Sequence, residues 1–205
     1  MKKTQSERPQ HEKKTSLPET WLADIREAVS VMRRGGIILY PTDTIWGIGC
    51  DATNDEAVRR VFEIKQRNEA KALITLVDSE GAVARYVERM PDVAWDLIEV
   101  TDRPLTIIYD GARNLAPSLV ASDGSVGIRV TKEIFSSSLC HRMGRAIVST
   151  SANVSGQPSP HSFHEISEQI KQQVDYICTS RREESNPPAS GIIKLGTGGE
   201  ISIIR

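Results

Sequence analysis

Apolar residues at the start of the chain follow first a helical spacing and then a strand-like one. Between positions 21 and 32 they recur three or four residues apart, as on the buried face of a helix. Two glycines at 35–36 suit the end of that helix. The apolar run 37–40 predicts a buried strand. After a loop at 41–54, Asn54 can cap a second helix that extends to about Ile64.

The remaining pattern alternates between the two periods at irregular intervals. Because the spacing is irregular and the chain ends in a hairpin signal, the sequence predicts an α/β fold of the α+β type, with one domain and a mixed sheet. Residues 1–15 are polar and lack periodicity, which predicts a flexible N-terminal tail before a domain at 16–205. The predicted strands are 72–77, 105–109, 126–130, 146–149 and 175–178, the helices are 79–89, 91–100, 133–142 and 163–173, and the hairpin pairs 190–195 with 200–205 around a glycine-rich turn.

Composition excludes several classes of protein. With 26 Lys and Arg against 27 Asp and Glu, the net charge of −1 excludes a polycation, so any RNA binding needs a local basic patch. No apolar run approaches the roughly 20 residues of a membrane span. Three cysteines lie far apart without a CxxC pair, which disfavours a zinc site or disulfide framework and favours a cytoplasmic location.

Four polar segments flank predicted strands, where open α/β sheets bind their ligands. Residues 41–47 place two hydroxyls and a carboxylate in one turn, which can hold a small ligand or simply stabilise the turn. Residues 65–71 carry three cations at a helix end, which can meet a polyphosphate or complement the helix dipole. Residues 149–159 combine hydroxyls, an amide and a glycine turn, as an anion cradle would, and lack the G-x-S-x-G of a serine nucleophile.

The fourth segment, 125–130, contains Arg129 within an apolar strand. A buried guanidinium is costly unless it is paired, so this side chain either reaches solvent at the strand end or pairs with an anion. His161 and His164 are better explained as surface or capping residues than as metal ligands. The chain contains neither a Walker A motif nor G-x-G-x-x-G, which excludes the P-loop and Rossmann interpretations.

In combination, these segments resemble the YrdC-like threonylcarbamoyl-AMP synthases. The resemblance rests on PTDTIWGIG, then KQR with a further lysine, then VGIRV, then STSANVSGQPSP, and it extends from about Trp21 to Arg205. The chain is most similar to the short TsaC form without the extra C-terminal domain. The family fold implies an open, twisted mixed sheet with flanking helices around a concave, basic cavity.

The resemblance also implies an activity. L-threonine, bicarbonate and ATP would be joined into threonylcarbamoyl-AMP with release of pyrophosphate, and Mg²⁺ would accompany ATP. A separate transferase complex would use the product to form threonylcarbamoyladenosine in tRNA. The alternatives are an RNA-binding or ribosome-assembly module and a carbamoyl transferase domain; a basic cavity would also allow weak RNA binding.

Family roles carry over by position. The implied catalytic residues are Lys65 and Arg67, the implied ATP-binding residues are Arg67, Lys71, Ser125, Ser151, Asn153, Ser159 and Arg205, and the implied threonine-binding residues are Thr44, Arg129, Ser149 and Ser190. Four positions depart from the family pattern. Asn68, Ala72 and Thr131 stand where proline is common, and Leu76 stands where some members have a histidine that contacts threonine.

Overall fold

The first two helices form where the apolar spacing predicts them. The computed structural model describes residues 17–67, 73–185, 189–196 and 198–205, so the predicted tail at 1–15 lies outside the described residues. Helix α1 (Glu19–Arg33) buries its apolar stripe, and helix α2 (Asp55–Ile64) starts after Asn54, whose side chain accepts a hydrogen bond from the Ala57 amide.

Within the described residues, nine strands form one mixed sheet in the order β7-β1-β2-β6-β3-β5-β4-β8-β9. The pairs β1/β7, β3/β5 and β4/β8 are parallel, and the other neighbours are antiparallel, which confirms the predicted mixed sheet. The strands are β1 Ile38–Tyr40, β2 Gly47–Gly49, β3 Ile74–Val77, β4 Leu105–Tyr109, β5 Val126–Val130, β6 Ile147–Ser151, β7 Tyr176–Ile177, β8 Gly191–Leu195 and β9 Ile201–Ile203; the further helices are α3 Glu80–Val83, α4 Asp92–Val100, α5 Ile134–Met143 and α6 Glu168–Lys171.

Two helix predictions were too long. The helix expected at 79–89 ends at Val83, because the chain then pairs with the segment around Ala112 through amide–carbonyl bonds at both Tyr86 and Glu88. The helix expected at 163–173 is interrupted. A 3₁₀ turn ends at Glu165, and Ser167 caps the short α6 that follows.

Strand β2 was predicted as loop, since glycine is depleted in strands. Glycine is required at Gly49 by the ring of Tyr40 on the neighbouring strand. A Cβ at Gly49 would lie 2.6 Å from Tyr40 Cε1 and 2.8 Å from the Val148 carbonyl oxygen, whereas a Cβ at Gly47 would lie 3.3 Å from the same ring atom. The missing side chain at Gly49 therefore lets β1 and β6 pack closely on either side of β2.

This packing predicts that Gly49→Ala destabilises the fold. Because both obstacles are fixed, the substitution should cost about 1–3 kcal/mol of unfolding free energy, as overpacking usually does. Gly81 is the matched control, since a Cβ there has no heavy atom within 4 Å and alanine favours a helix. Urea denaturation of both variants tests this. Equal midpoints for the two variants would contradict it.

The pairing register gathers polar side chains onto one face of the sheet. Paired residues point to the same face, and side chains alternate along each strand. Ile74 pairs with both Gly127 and Ser149, which places Arg129, two residues from Gly127, on the face that carries Ser149. The hydroxyl-rich end of β6 and the arginine of β5 therefore face the same space. Among the described helices, none has the length and apolar character needed to cross a bilayer.

Candidate functional site

A cavity of about 200 Å³ lies over this face of the sheet. Its described lining contains three arginines and several hydroxyls, and no acidic residue is among them. Such a lining is electropositive and suits an anionic, polar ligand. Eight of the predicted site residues line it, namely Thr44, Arg67, Arg129, Ser149, Ser151, Ser159, Ser190 and Arg205.

The turn after β1 fixes Thr44 at one end of the cavity. The Thr42 hydroxyl donates to the Ile45 carbonyl at 2.8 Å and accepts from the Thr44 amide at 3.0 Å, so this side chain closes the turn. The Thr44 hydroxyl lies 3.1 Å from that of Thr42 and receives Arg129 Nη2 at 3.4 Å. Thr42 therefore stabilises the turn, as one interpretation of the segment predicts, and the turn places Thr44 in the cavity lining.

Arg129 is buried and paired, which decides between its two predicted environments. Its side chain is 3% exposed, and Nη2 lies 2.9 Å from Asp43 Oδ1. The contact lacks hydrogen-bond geometry, so Asp43 Oδ1 and Arg129 Nε have no hydrogen-bond partner among the described residues. Burial raises the pKa of Asp43 although Arg129 opposes this shift. Arg129 therefore lines the cavity with one guanidinium donor, Nε, that is not used by the described residues.

The opposite wall is formed by the C-terminal strands. The Ser190 hydroxyl lies 2.9 Å from that of Thr106 on β4, and both residues are buried. Arg205 Nε donates to the Ser190 carbonyl at 3.1 Å, which holds the last residue of the chain against the cavity. Together these contacts bring the end of the chain beside the start of β8.

Lys65 and Arg67 diverge, although they are two residues apart. Arg67 lines the cavity and is half-buried, and burial lowers the pKa of its guanidinium. Lys65 is 1% exposed and is not among the lining residues. Its Nζ donates to the carbonyl oxygens of Ser151 and Asn153, the latter at 2.7 Å. The predicted catalytic pair is therefore split between the cavity wall and the protein interior.

The burial of Lys65 predicts a pH-dependent stability. Desolvation, helped by Arg67, lowers the pKa of Lys65 to about 7 in the folded protein, whereas the unfolded chain keeps the ordinary value near 10.5. Between these values the unfolded state binds more protons, so the unfolding free energy should rise with pH from 7 toward 10, by at most about 1.4 kcal/mol per pH unit. Urea denaturation at several pH values gives the unfolding free energy of the wild type and of Lys65→Met, and the difference between the two measures the contribution of Lys65. A difference that does not change between pH 7 and 10 would contradict the prediction.

Two further predicted residues, Ser125 and Asn153, lie apart from the described cavity lining. Ser125 is buried before β5 and donates from its hydroxyl to Asp123 at 2.6 Å, on the same strand face as Arg129 but four residues away. The Asn153 amide donates to the carbonyls of Val154 and Gln157, which closes the turn after β6. Lys71 lies outside the described residues, as do Asn68 and Ala72.

The predicted site residues leave out two that contact the cavity wall. Asp43 pairs with the cavity-lining Arg129 and lines a second cavity of about 260 Å³. Arg181, which adopts a left-handed φ of 61°, donates to the Thr42 carbonyl at 3.3 Å and pairs with Glu133 at 3.1 Å. It braces the turn that presents Thr44. The charged segment around Arg181 carries no periodic signal, so nothing in the sequence pointed to this role.

The donor set of the cavity does not suit a metal held by carboxylates. Its described lining offers hydroxyls and cations only, and the described chain contains no cluster of three His, Cys, Asp or Glu side chains suited to a metal. His164 lies 3.3 Å from Glu183 on the surface, in line with the predicted surface role. A divalent cation here would take its ligands from a bound substrate and water, as Mg²⁺ commonly does.

Comparison with known proteins gives consistent matches. A model of the Sua5/YciO/YrdC family, described as "Telomere recombination", matches residues 30–205. The threonylcarbamoyl-AMP synthase of Pseudoalteromonas translucida is 35% identical over 180 residues, which cover 86% of this chain and 95% of that protein.

Solved structures agree on the fold. P. abyssi Sua5, complexed with L-threonine, matches with a TM-score of 0.80 and 26% identity over 93% of this chain; the match spans 55% of the Sua5 chain, about half its length. E. coli YciO matches with a TM-score of 0.78 and 24% identity over 92% of this chain and 90% of that one, which supports the fold alone.

Proposed function

Because the chain belongs to the Sua5/YciO/YrdC family, we propose that it is an L-threonylcarbamoyladenylate synthase, a nucleotidyltransferase that makes threonylcarbamoyl-AMP and pyrophosphate from L-threonine, bicarbonate and ATP. The observation that carries the proposal is the single cavity that unites Arg67, Arg129 and Arg205 with the hydroxyls of β6 and Ser190. That lining is suited to a polyphosphate and a carboxylate at once.

The reaction needs no nucleophile from the protein. Threonine combines with bicarbonate to give a carbamate, with loss of water and a proton. A carbamate oxygen then bonds to the α-phosphorus of ATP as the bond from that phosphorus to the pyrophosphate oxygen breaks. The protein therefore contributes position and charge, which are the usual terms in phosphoryl and nucleotidyl transfer.

The two ends of the cavity suit different substrates. Arg129 keeps unpartnered donor capacity beside the Thr44 hydroxyl, which suits the threonine carboxylate, with Ser149 and Ser190 nearby. The L-threonine complex of Sua5, at the same fold, supports a threonine site. Arg67 and Arg205 suit ATP, and Ser151 and Ser159 supply further hydroxyls in the same cavity lining. Lys71 and Ser125 remain proposed ATP contacts on the family resemblance.

Mg²⁺ is proposed to arrive with ATP and to be held by the phosphate oxygens and water. The described cavity lining gives it hydroxyls but no carboxylate. When bound, the ion neutralises phosphate charge. Residues 16–205 are proposed to form the catalytic domain, and the product is proposed to pass in the cytoplasm to a tRNA threonylcarbamoyl transferase complex.

Substrate dependence of pyrophosphate release tests the function. Purified protein with ATP and bicarbonate should release pyrophosphate with L-threonine and not with L-valine, and mass spectrometry should detect threonylcarbamoyl-AMP. Release that ignores threonine would contradict the proposal. A salt-sensitive RNA gel shift without threonine-dependent release would favour the RNA-binding alternative, and ATP cleavage that requires carbamoyl phosphate would favour the carbamoyl transferase.

A further inference from the structure

The loop after β6, residues 151–155, is built around Lys65. The lysine Nζ donates to the backbone carbonyls of Ser151 and Asn153, and the Lys65 carbonyl in turn accepts from the Ser155 amide at 2.8 Å. Three hydrogen bonds thus tie the loop to the end of α2 from one residue. All three bonds are made to backbone atoms of the loop, and none involves a side chain of the cavity lining.

Burial makes this arrangement specific to an amine at this position. Lys65 is 1% exposed, and a buried carbonyl that loses its donor costs about 1–3 kcal/mol. An ammonium group has three donors, and even the neutral amine retains two, enough for both carbonyls. The lowered pKa of Lys65 agrees with a site that lacks a carboxylate partner.

Ser151 links this interior contact to the cavity. Its carbonyl receives Lys65, while the residue itself lines the cavity beside Ser149 and Ser159. A change at Lys65 therefore reaches the cavity through the backbone of Ser151. By contrast, Arg67 lines the cavity directly, because the left-handed φ of 48° at Gln66 turns the chain between them.

We propose that Lys65 is a positioning residue, which shapes the 151–155 loop so that Ser151 meets the nucleotide, and that it does not itself contact ATP. The inference rests on the proposed function for the identity of the nucleotide. It assigns the two cations of the K-x-R segment to separate tasks, with Arg67 on the substrate and Lys65 on the loop.

Hydrogen exchange of the nucleotide-free protein tests the loop without any substrate. Lys65→Met removes both donations, so amides of residues 151–157 should exchange faster by about tenfold, as the loss of about 1.4 kcal/mol of local stability would give. Lys65→Gln keeps a neutral donor and should restore much of the protection. Unchanged exchange in Lys65→Met would overturn the proposal.

ATP affinity, measured by calorimetry, tests whether Lys65 affects ATP binding through Ser151. Lys65→Met should weaken ATP about 10- to 100-fold, and the double variant with Ser151→Ala should be little weaker than Lys65→Met alone, since coupled residues are non-additive. Lys65→Gln should lose far less. If Lys65→Met does not fold, a double-mutant cycle of ATP affinity can be built from Lys65→Gln, Ser151→Ala and the variant that carries both changes.

The outcomes separate the two proposals. Additive effects of Lys65→Met and Ser151→Ala would mean that Lys65 acts on ATP independently of Ser151, and they would overturn the positioning role. Wild-type protein that binds ATP but releases no threonine-dependent pyrophosphate would instead contradict the synthase activity, while the exchange result would still stand.

Discussion

Arg67→Ala should reduce the rate of pyrophosphate release by about 10²–10³-fold, the range seen when one preorganised donor to a developing negative charge is removed. The expectation rests on the place of Arg67 in the cavity wall and on its desolvation, which strengthens its interaction with phosphate oxygens. Charge grows on the leaving pyrophosphate as its bond to the α-phosphorus breaks. Steady-state assays with varied ATP measure the effect.

Two further variants make the Arg67 experiment specific. Arg67→Lys keeps the charge but loses the planar fork of donors, so its rate should lie between those of wild type and alanine. Arg89→Ala is the matched control, because Arg89 is exposed and is not among the cavity-lining residues. Circular dichroism should show an intact fold in all three. Wild-type turnover in Arg67→Ala would remove Arg67 from the site.

Local patterns predicted most elements because those elements depend on local burial. Helix α2, for instance, has a polar cap and an apolar face that the sequence displays directly. Strand β2 was not predicted, because the need for glycine in it comes from tertiary packing. The Tyr40 ring and the β6 backbone occupy the space that a side chain at Gly49 would need. The early end of α3 likewise depends on a partner segment near Ala112.

The site was predictable in its residue types and less so in its contacts. For Arg129 within an apolar strand, the sequence left two environments open, solvent at the strand end or an anion partner, because an unpaired buried guanidinium is costly. That the anion is Asp43 depends on the sheet order, which brings together residues 86 positions apart. Lys65 is buried whereas Arg67 lines the cavity, and the chain turns between them at Gln66, whose left-handed φ the sequence spacing does not reveal.

Arg129→Ala should raise the KM for threonine by roughly 10- to 150-fold, as the loss of hydrogen bonds to a charged group commonly does. The KM for ATP should change little, because the proposed ATP contacts are made by other lining residues, among them Arg67 and Arg205. The effects of the Arg67 and Arg129 variants on each of the two substrates should therefore be compared. Arg67→Ala should impair the ATP step, whereas Arg129→Ala should impair threonine use, and equal effects on both substrates would contradict the role of Arg129.

Removing Arg129 also leaves a buried carboxylate without its partner, and this structural effect must be separated from the binding effect. The unpaired Asp43 should destabilise the fold by about 3–5 kcal/mol. Asp43→Asn combined with Arg129→Ala removes both charges and should recover much of that stability while threonine use remains poor. Recovery of threonine affinity along with stability would show that Arg129 acts only by supporting the fold; a stable double variant that still requires excess threonine would assign the guanidinium to the amino acid.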